Sequence, residues 1–173
     1  MKVVIRPESK KDYPAIKEIN DLAFGHSNEG ILIEKLRRSP GFIPGLSLVA
    51  EYGAKLIGHI LFYPVKINSP SAVYVSLALA PMSVHPAYQR SGVGKRLVID
   101  GLKRAKEMGY SSVIVLGHSE YYPRFGFKRA SAFGIRCPFK VHDNVFLAFE
   151  LVSGALKDVK GVVEYPKPFN DTI

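Results

Sequence analysis

The segment that decides the fold is Val84-His85-Pro86-Ala87-Tyr88-Gln89-Arg90-Ser91-Gly92-Val93-Gly94-Lys95. It follows an apolar stretch rich in β-branched residues, Val73 to Val84, that is typical of a strand buried on both faces. Apolar residues then recur at helical spacing from Gly92 to Met108. A strand that turns into a helix at two glycines points unpaired backbone N–H groups and a helix dipole at one place. Because Arg90 and Lys95 add formal charge there, the segment predicts a binding site for a diphosphate.

Three known phosphate-binding loops have glycines at such a turn. The nucleoside-triphosphate loop requires glycine at position 89 and serine or threonine at position 96, where this chain has Gln89 and Arg96. The dinucleotide loop requires a third glycine at position 97, where Leu97 stands. The pattern Gln/Arg-x-x-Gly-x-Gly/Ala fits residues 89–94 throughout, so it is the favoured interpretation.

This third pattern resembles the acetyl-CoA loop of the GNAT N-acetyltransferases. A second motif, Tyr122-Pro123-Arg124-Phe125-Gly126-Phe127, is similar to the Tyr-x-x-x-Gly-Phe segment that these enzymes carry further along the chain. Residues 134–139 and 145–151 resemble the YhbS-like branch of the family. The resemblance implies an α/β (α+β) fold, with a mixed, mostly antiparallel twisted sheet flanked by helices. Its splayed central strand pair, residues 73–84 and 112–116, is expected to hold acetyl-CoA.

Hydrophobic patterns and turn residues predict the other elements. The first helix is expected to begin at Asp12 as its cap, with Ile16, Ile19 and Ala23 on its buried face. A hairpin is expected around Gly53-Ala54. The last ~20 residues are expected to be extended along the surface, since two prolines interrupt them. The remaining predicted elements are strands at 3–6, 46–52, 56–63 and 112–116, a helix at 28–38, a helical turn at 121–125, and an antiparallel pair formed by Phe127 onward and 145–151.

Composition bounds the class of protein. The chain has 173 residues, of which 47% are hydrophobic and 23% charged. We therefore expect one ordered domain at residues 1–151, with a C-terminal extension at 152–173 packed on it. No apolar run reaches the ~20 residues of a membrane-spanning helix, and the N-terminus is unlike a secretory signal, so we expect a cytoplasmic protein without membrane contact. A single cysteine, Cys137, and scattered histidines predict neither a disulfide nor a metal site.

The chain is basic, with 24 Lys and Arg against 15 Asp and Glu and a net charge of +9. This excess suits a polyanionic partner such as nucleic acid, an anionic surface or a multiply phosphorylated cofactor, although a merely basic surface is the alternative. Nucleic acid is disfavoured because no RNA-binding aromatic motif is visible and the basic residues lie mainly on one predicted helix face and the loop.

The resemblance implies how acetyl-CoA is held. Amides from Arg90 to Lys95 are expected to anchor the diphosphate, and the backbone of residues 82–84 to pair with the pantetheine amides like an added strand. The N–H of Val84 could polarise the thioester carbonyl. The expected coenzyme-binding residues are Met82, Ser83, Val84, Gln89, Arg90, Ser91, Gly92, Val93, Gly94, Lys95 and Tyr121.

Tyr122 is the candidate general acid. A phenol with a pKa of about 10 is protonated at neutral pH and can stabilise a departing thiolate with a pKa of about 8.5. The alternative is that Tyr122 is a packed aromatic residue whose hydroxyl merely finds a partner. Tyr121 is the substitute acid and is more readily explained as a residue that lines the pocket.

Three residues are candidate bases for deprotonating the amine. His118 and Glu120 lie at the exit of the second buried strand, and Glu29 lies at the start of the second helix. Asp143 and His26 are weaker candidates. An acyl-enzyme route through Cys137 is disfavoured because no histidine partner can be identified.

The predicted function is that of an N-acetyltransferase, which moves the acetyl group of acetyl-CoA to a primary amine by direct attack in a ternary complex. The alternative is a non-catalytic acyl-CoA-binding or sensor module on the same fold. Protein N-termini, lysine side chains, amino acids, polyamines and antibiotics all present the same nucleophile, so the acceptor stays open. The resemblance also allows a homodimer.

Overall fold

The computed structural model describes residues 1–171, in which two helices follow the first strand and a third lies between the fourth and fifth strands. The last two residues of the predicted C-terminal extension lie outside the described residues. The helices are α1 (Tyr13–Phe24), α2 (Asn28–Arg37), α3 (Val93–Glu107) and α4 (Lys167–Asn170). The strands are β1 (Val3–Pro7), β2 (Ser47–Tyr52), β3 (Lys55–Asn68), β4 (Val73–Val84), β5 (Ser112–Leu116), β6 (Lys128–Arg129), β7 (Ile135–Arg136), β8 (Phe146–Glu150) and β9 (Gly161–Glu164). These strands form one mixed, mostly antiparallel sheet, which confirms the predicted fold class.

The described chain divides into two compact units. The first unit contains Met1–Tyr63 and Ala80–Arg104, and the second contains Pro64–Leu79 and Ala105–Asp171. Strands β3 and β4 have residues in both. Within residues 1–171, no helix is both long enough and apolar enough to cross a membrane.

In the first unit, β2 pairs antiparallel with β1 and β3. The β2–β3 turn is tight because Gly53 adopts a left-handed conformation, with φ at 63°. Helix α3 packs on the face of β3 that carries Gly58 and Phe62. A Cβ on Gly58 would lie 3.1 Å from Val93, and one on Gly101 would lie 2.3 Å from Phe62, so both glycines permit close packing of helix and strand.

The start of α1 differs from the prediction. Asp12 precedes the helix, but its carboxylate makes no cap hydrogen bond to α1. Instead it accepts two hydrogen bonds from the guanidinium of Arg6, at 2.7 and 3.0 Å, and one from the backbone N–H of Ser9. The carboxylate therefore ties β1 to the turn before α1. Ile16 and Ile19 are buried as predicted.

Two predicted burial patterns are wrong in part. The helical apolar pattern runs to Met108 and so predicts that this residue is buried, but α3 ends at Glu107 and Met108 is half exposed. Strand β4 has the predicted bounds, yet its first residues are not buried on both faces, since Val73 and Val75 are largely exposed.

In the second unit, β5 pairs parallel with β4 and antiparallel with β8, and β8 pairs with β6. The parallel pairing of β4 with β5 runs only from Leu77 to Leu79, although β4 continues to Val84.

The chain after residue 151 is not simply extended along the surface. Strand β9 pairs antiparallel with the end of β3 and parallel with β7, and Val163 and Phe169 are buried. This part of the chain therefore contributes a strand to the sheet and five side chains to the core, since Leu156, Val159 and Tyr165 are also buried.

Candidate active site

The strand-to-helix turn, defined as residues 85–95, is anchored to the first unit at His85. The backbone N–H of His85 donates to the carbonyl oxygen of Ile57 on β3 at 2.8 Å. Its ring Nδ1 accepts a hydrogen bond from the N–H of Ala87 at 3.1 Å, and its carbonyl oxygen accepts one from Tyr88 at 2.8 Å. The chain therefore leaves β4 in a fixed direction through a single 3-10 turn.

Two predicted coenzyme-binding side chains hydrogen-bond to backbone carbonyls at the end of β4 and in the turn. The amide of Gln89 donates to the carbonyl oxygen of Val84 at 3.1 Å. The hydroxyl of Ser91 donates to the carbonyl oxygen of Tyr88. Both side chains consequently hold the shape of the backbone whose N–H groups follow.

The backbone then turns twice through left-handed conformations, at Arg90 with φ at 62° and at Gly92 with φ at 89°. The first backbone bond at the start of α3 runs from the N–H of Arg96 to the carbonyl oxygen of Gly92 at 3.1 Å. By helix geometry, the N–H groups of Val93, Gly94 and Lys95 precede that bond and point away from the helix end. A Cβ on Gly92 would meet no atom within 4 Å, so the space beside this backbone is open.

Charge is concentrated at the same turn. Arg90 and Lys95 are both exposed, and α3 is a 15-residue helix whose positive dipole end lies here. The neighbouring Arg96 is engaged elsewhere in the fold, because its guanidinium donates a hydrogen bond to the carbonyl oxygen of Val3 on β1. The turn can therefore offer backbone donors and two exposed cationic side chains to an anion.

The end of β4 carries the three residues predicted to line the pantetheine. Ser83 is buried, whereas Met82 and Val84 are half-buried. The hydroxyl of Ser83 has no hydrogen-bond partner among the described atoms.

The tyrosine turn, defined as residues 117–127, lies in the second unit after β5. The Tyr122 ring is only 6% exposed, and it packs edge-on against the rings of Tyr121 at 5.1 Å and Phe127 at 5.5 Å between centroids. Its third neighbour is the backbone of Gly117, where a Cβ would lie 2.4 Å from the ring. Burial, with the neighbouring Tyr121, raises the pKa of Tyr122 well above its ordinary value. Its hydroxyl therefore stays protonated at neutral pH.

The structure brings two candidate bases together. His118 and Glu120 are exposed residues that line an open cavity of about 520 Å³, with Leu116, Gly117, Ser119 and Val145. The carbonyl oxygen of His118 also accepts the N–H of Tyr121 at 3.1 Å, which fixes the start of the tyrosine turn.

The third candidate base lies in the first unit. Glu29 occupies the first turn of α2, where one carboxylate oxygen is 3.1 Å from Nδ1 of His26. Asp143 pairs with Arg129 at 3.5 Å on the surface of the second unit. Cys137 is half-buried, and burial raises the pKa of its thiol, which disfavours it as a nucleophile.

Residue patterns did not predict the hydrogen bond of the His85 ring or the contact of Gly117 with Tyr122. A histidine before proline at a strand end is the signal for the first, since its ring can cap the turn that follows. Gly117 directly follows a buried strand and its φ is not left-handed. The reason for a glycine there is the close approach of a neighbouring side chain, which the sequence does not reveal. Among residues 1–171, no group of three histidine, cysteine or acidic side chains has the arrangement of a metal site.

Comparison with known proteins agrees with the two motifs. A family model described as the acetyltransferase (GNAT) domain matches residues 4–130. The uncharacterized N-acetyltransferase YhbS of Escherichia coli strain K12 is 32% identical over 168 residues, which are 97% of this chain and 99% of that protein. The uncharacterized N-acetyltransferase YjhQ of the same strain is 41% identical over 119 residues, which are 69% of this chain and 66% of YjhQ.

Two solved structures are similar along almost the whole chain. The crystal structure of Escherichia coli YhbS in complex with CoA has a TM-score of 0.91 at 32% identity and covers 98% of this chain and 93% of that one. A GNAT family acetyltransferase from Brucella melitensis in complex with acetyl-CoA has a TM-score of 0.79 at 30% identity, with 97% and 98% covered. The resemblance to the GNAT family and its YhbS-like branch is thereby confirmed. The chain belongs to the GNAT family of acetyltransferases.

Proposed function

We propose that this protein transfers the acetyl group of acetyl-CoA to a primary amine by direct attack in a ternary complex. The observation that carries the proposal is the backbone of the strand-to-helix turn, where Arg90 and Gly92 are left-handed and lead into the exposed start of a 15-residue helix. Support also comes from the CoA and acetyl-CoA bound to the YhbS and Brucella melitensis proteins. Residues 1–151 would form the catalytic domain and residues 152–173 its C-terminal extension.

The turn would hold the diphosphate of the coenzyme. The N–H groups of Gly92, Val93, Gly94 and Lys95 would donate to its oxygens, with the charges of Arg90 and Lys95 beside them. The backbone at the end of β4, residues 82–84, would pair with the pantetheine amides. Gln89 and Ser91 would act by keeping the turn in shape, through the bonds described above.

The reaction needs an acid and a base. The amine nitrogen attacks the thioester carbonyl carbon, and the resulting tetrahedral intermediate collapses by breaking its carbon–sulfur bond. The sulfur leaves with the bonding electron pair and takes up a proton, so that CoA departs as a thiol. The nitrogen becomes positively charged when it forms the new bond to carbon, and it then loses one of its own protons to a base or to water.

We assign the acid to Tyr122. Because burial keeps its hydroxyl protonated, it can donate a hydrogen bond to the developing thiolate over the whole neutral range of pH. Tyr121 would line the coenzyme pocket, since its ring lies against Tyr122 on one side and Phe125 on the other.

For the base, His118 and Glu120 are the stronger candidates. They share one cavity, and they lie at the end of the strand that leads into the tyrosine turn. Glu29 is the third candidate, and its carboxylate would have to leave His26 to accept a proton from the amine. Single variants His118→Ala, Glu120→Gln and Glu29→Gln separate these roles by the acidic limb of the pH–rate profile.

The test is an acetyl-transfer screen over a panel of amines, with release of the CoA thiol as the readout. Wild-type protein is expected to turn over at least one amine class, and Tyr122→Phe to reduce kcat by about 100-fold while it still binds acetyl-CoA. Binding of acetyl-CoA in calorimetry without turnover of any amine would favour the acyl-CoA sensor instead. Absence of acetyl-CoA binding would refute the proposal as a whole.

A further inference from the structure

The φ of Gly117 is not left-handed, yet the side of its Cα where a Cβ would stand faces the ring of Tyr122. A Cβ at this position would lie 2.4 Å from Cε2, 2.9 Å from Cδ2 and 3.4 Å from Cζ of that ring. Real Cβ atoms essentially never approach carbon at the first of these distances. The contact lies beside the carbon that carries the phenolic oxygen, so a methyl group here would act on the hydroxyl end of the side chain.

The backbone of Gly117 cannot retreat from the ring at low cost. Its N–H donates to the carbonyl oxygen of Val145 at 2.9 Å. This bond continues the antiparallel ladder of β5 and β8, whose last register pair is Leu116 with Phe146. Moving residue 117 would therefore open the end of that ladder.

The ring cannot easily move away either. Tyr121 and Phe127 pack edge-on against it, and Phe127 is itself backed by Phe149 at 5.2 Å between centroids. The N–H groups of Tyr121 and Tyr122 both donate to the carbonyl oxygen of His118, which fixes the turn below the ring. The ring of Tyr122 thus occupies a slot with a glycine as one wall and two aromatic rings as others.

We infer that Gly117 is a positioning residue for the transfer reaction: the missing side chain sets where the hydroxyl of Tyr122 lies. This inference rests on the proposed role of Tyr122 as the acid. Placement of a donor within a fraction of an ångström decides how well it stabilises charge that develops in the transition state, and a displacement of about 1 Å can cost about 100-fold in rate.

The test compares Gly117→Ala with Gly41→Ala, a matched control that is far from the tyrosine turn in sequence. A Cβ on Gly41 would also meet a tyrosine, at 2.8 Å from the hydroxyl and 3.0 Å from Cζ of Tyr63, and Gly41 also lacks a left-handed φ.

The measurement is the release of the CoA thiol with the amine of the panel that gives the highest turnover. Water serves as the acceptor if no amine is turned over faster than water. Gly117→Ala is expected to lower kcat at least tenfold and to change the KM for acetyl-CoA by less than about threefold. Gly41→Ala is expected to keep the wild-type kcat.

A double-mutant cycle separates positioning from general damage. In the Tyr122→Phe background the hydroxyl is already absent, so Gly117→Ala should lower kcat by less than about twofold further. If Gly117→Ala lowers kcat equally in both backgrounds, its role is structural and the inference is overturned. The inference is also overturned if Gly117→Ala has the wild-type kcat while Tyr122→Phe has a strongly reduced kcat. If Tyr122→Phe itself retains full turnover, the assignment of the acid fails instead.

A second variant covers the case in which Gly117→Ala does not fold. Phe127→Leu removes part of another wall of the slot, so that the ring can shift and the Gly117→Ala/Phe127→Leu protein has room for the new methyl group. This double variant is expected to fold, as judged by thermal melting, and to keep a low kcat because the hydroxyl is displaced. Wild-type kcat in this folded double variant would contradict the inference.

Discussion

The side-chain amide of Gln89 donates a hydrogen bond to the carbonyl oxygen of Val84 at 3.1 Å. Val84 is the last residue of β4, and Gln89 follows the 3-10 turn Pro86–Tyr88. The bond closes the turn between the two residues. It therefore restrains the backbone immediately before Arg90, where the left-handed conformations begin.

Removal of this bond should weaken coenzyme binding without touching the coenzyme. Gln89→Ala loses one exposed hydrogen bond, and the turn must then be ordered by the ligand at a cost of about 0.5–1.5 kcal/mol. The Kd for CoA is expected to rise about two- to tenfold in isothermal titration calorimetry. Asn144→Ala, which truncates an exposed amide on the second unit, is the control and should leave the Kd unchanged. An unaltered Kd for Gln89→Ala would show that the bond does not hold the turn in its binding conformation.

Arg90 combines a charge with an unfavourable backbone conformation, since φ is 62° at a residue that is not glycine. Replacing it by alanine removes the charge and keeps the left-handed strain, whereas replacing it by glycine removes both. We expect both variants to bind CoA more weakly than wild type and with a smaller dependence on salt. Arg90→Gly should be more stable than Arg90→Ala by about 1 kcal/mol in urea denaturation.

Asp158 provides the control for this comparison because its φ is 65° and it lies outside the strand-to-helix turn. Asp158→Gly and Asp158→Ala should differ in stability in the same sense, and both should keep the wild-type Kd for CoA. Equal salt dependence of CoA binding in Arg90→Ala and wild type would mean that the guanidinium does not face the diphosphate.

The parts of the fold that the sequence predicted are those whose signals are local. Strands β4 and β5 have the expected bounds because each is a mostly apolar run that is bounded by polar residues or turns. Strand β3 was expected to end at residue 63 but continues past Pro64 to Asn68, where it pairs with β9. The second half of β3 and the whole of β9 depend on each other across about 100 residues of chain, and no local pattern reports such a pairing.

The same distinction holds for the candidate site. The strand-to-helix turn was predicted because its glycines, its charges and its place between a strand and a helix are all visible in one segment. The roles of Asp12 and Gly117 were not, since each depends on a neighbour outside its own element: the guanidinium of Arg6 on β1 and the ring of Tyr122. A residue pattern identifies a helix cap, but it cannot tell which of two partners the carboxylate will take.

The bond between Asp12 and Arg6 makes a prediction about stability in acid. Asp12→Asn should lower the free energy of unfolding by about 1–3 kcal/mol at pH 7, because a buried, charge-assisted hydrogen bond is lost. The hydrogen bonds from Arg6, aided by those from Ser9, lower the pKa of Asp12 below its ordinary value. The unfolded chain therefore binds a proton more readily below about pH 4, and this stabilisation is lost as the pH falls further.

Urea denaturation at pH 7, 5 and 3 measures both effects. The difference between wild type and Asp12→Asn should be constant from pH 7 to 5 and should shrink towards pH 3. Asp21→Asn is the control, because Asp21 pairs with Lys17 one turn earlier on α1, where both side chains are partly exposed. Such pairs contribute less than about 1 kcal/mol. A difference that did not narrow in acid would mean that Asp12 titrates normally in the folded protein.

A second dependence on pH is expected from His59, which is fully buried on β3 with its Nε2 2.9 Å from the hydroxyl of Ser47. Burial, with a contribution from the charge of Arg37, lowers the pKa of His59 to about 3. Since histidine in the unfolded chain titrates near pH 6.5, the unfolded state binds the proton first as the pH falls. The stability that the neutral ring contributes is thus complete above pH 6.5 and declines below it by about 1.4 kcal/mol per pH unit.

The variant His59→Gln tests this dependence on pH. Glutamine can keep a hydrogen bond to Ser47 but has no proton to gain, so the free energy of unfolding of the variant should fall less steeply between pH 6.5 and 4 than that of wild type. His142→Gln, which changes an exposed histidine, should follow the wild-type curve. Parallel curves for wild type and His59→Gln would mean that the buried ring is protonated in the folded protein as easily as in the unfolded chain.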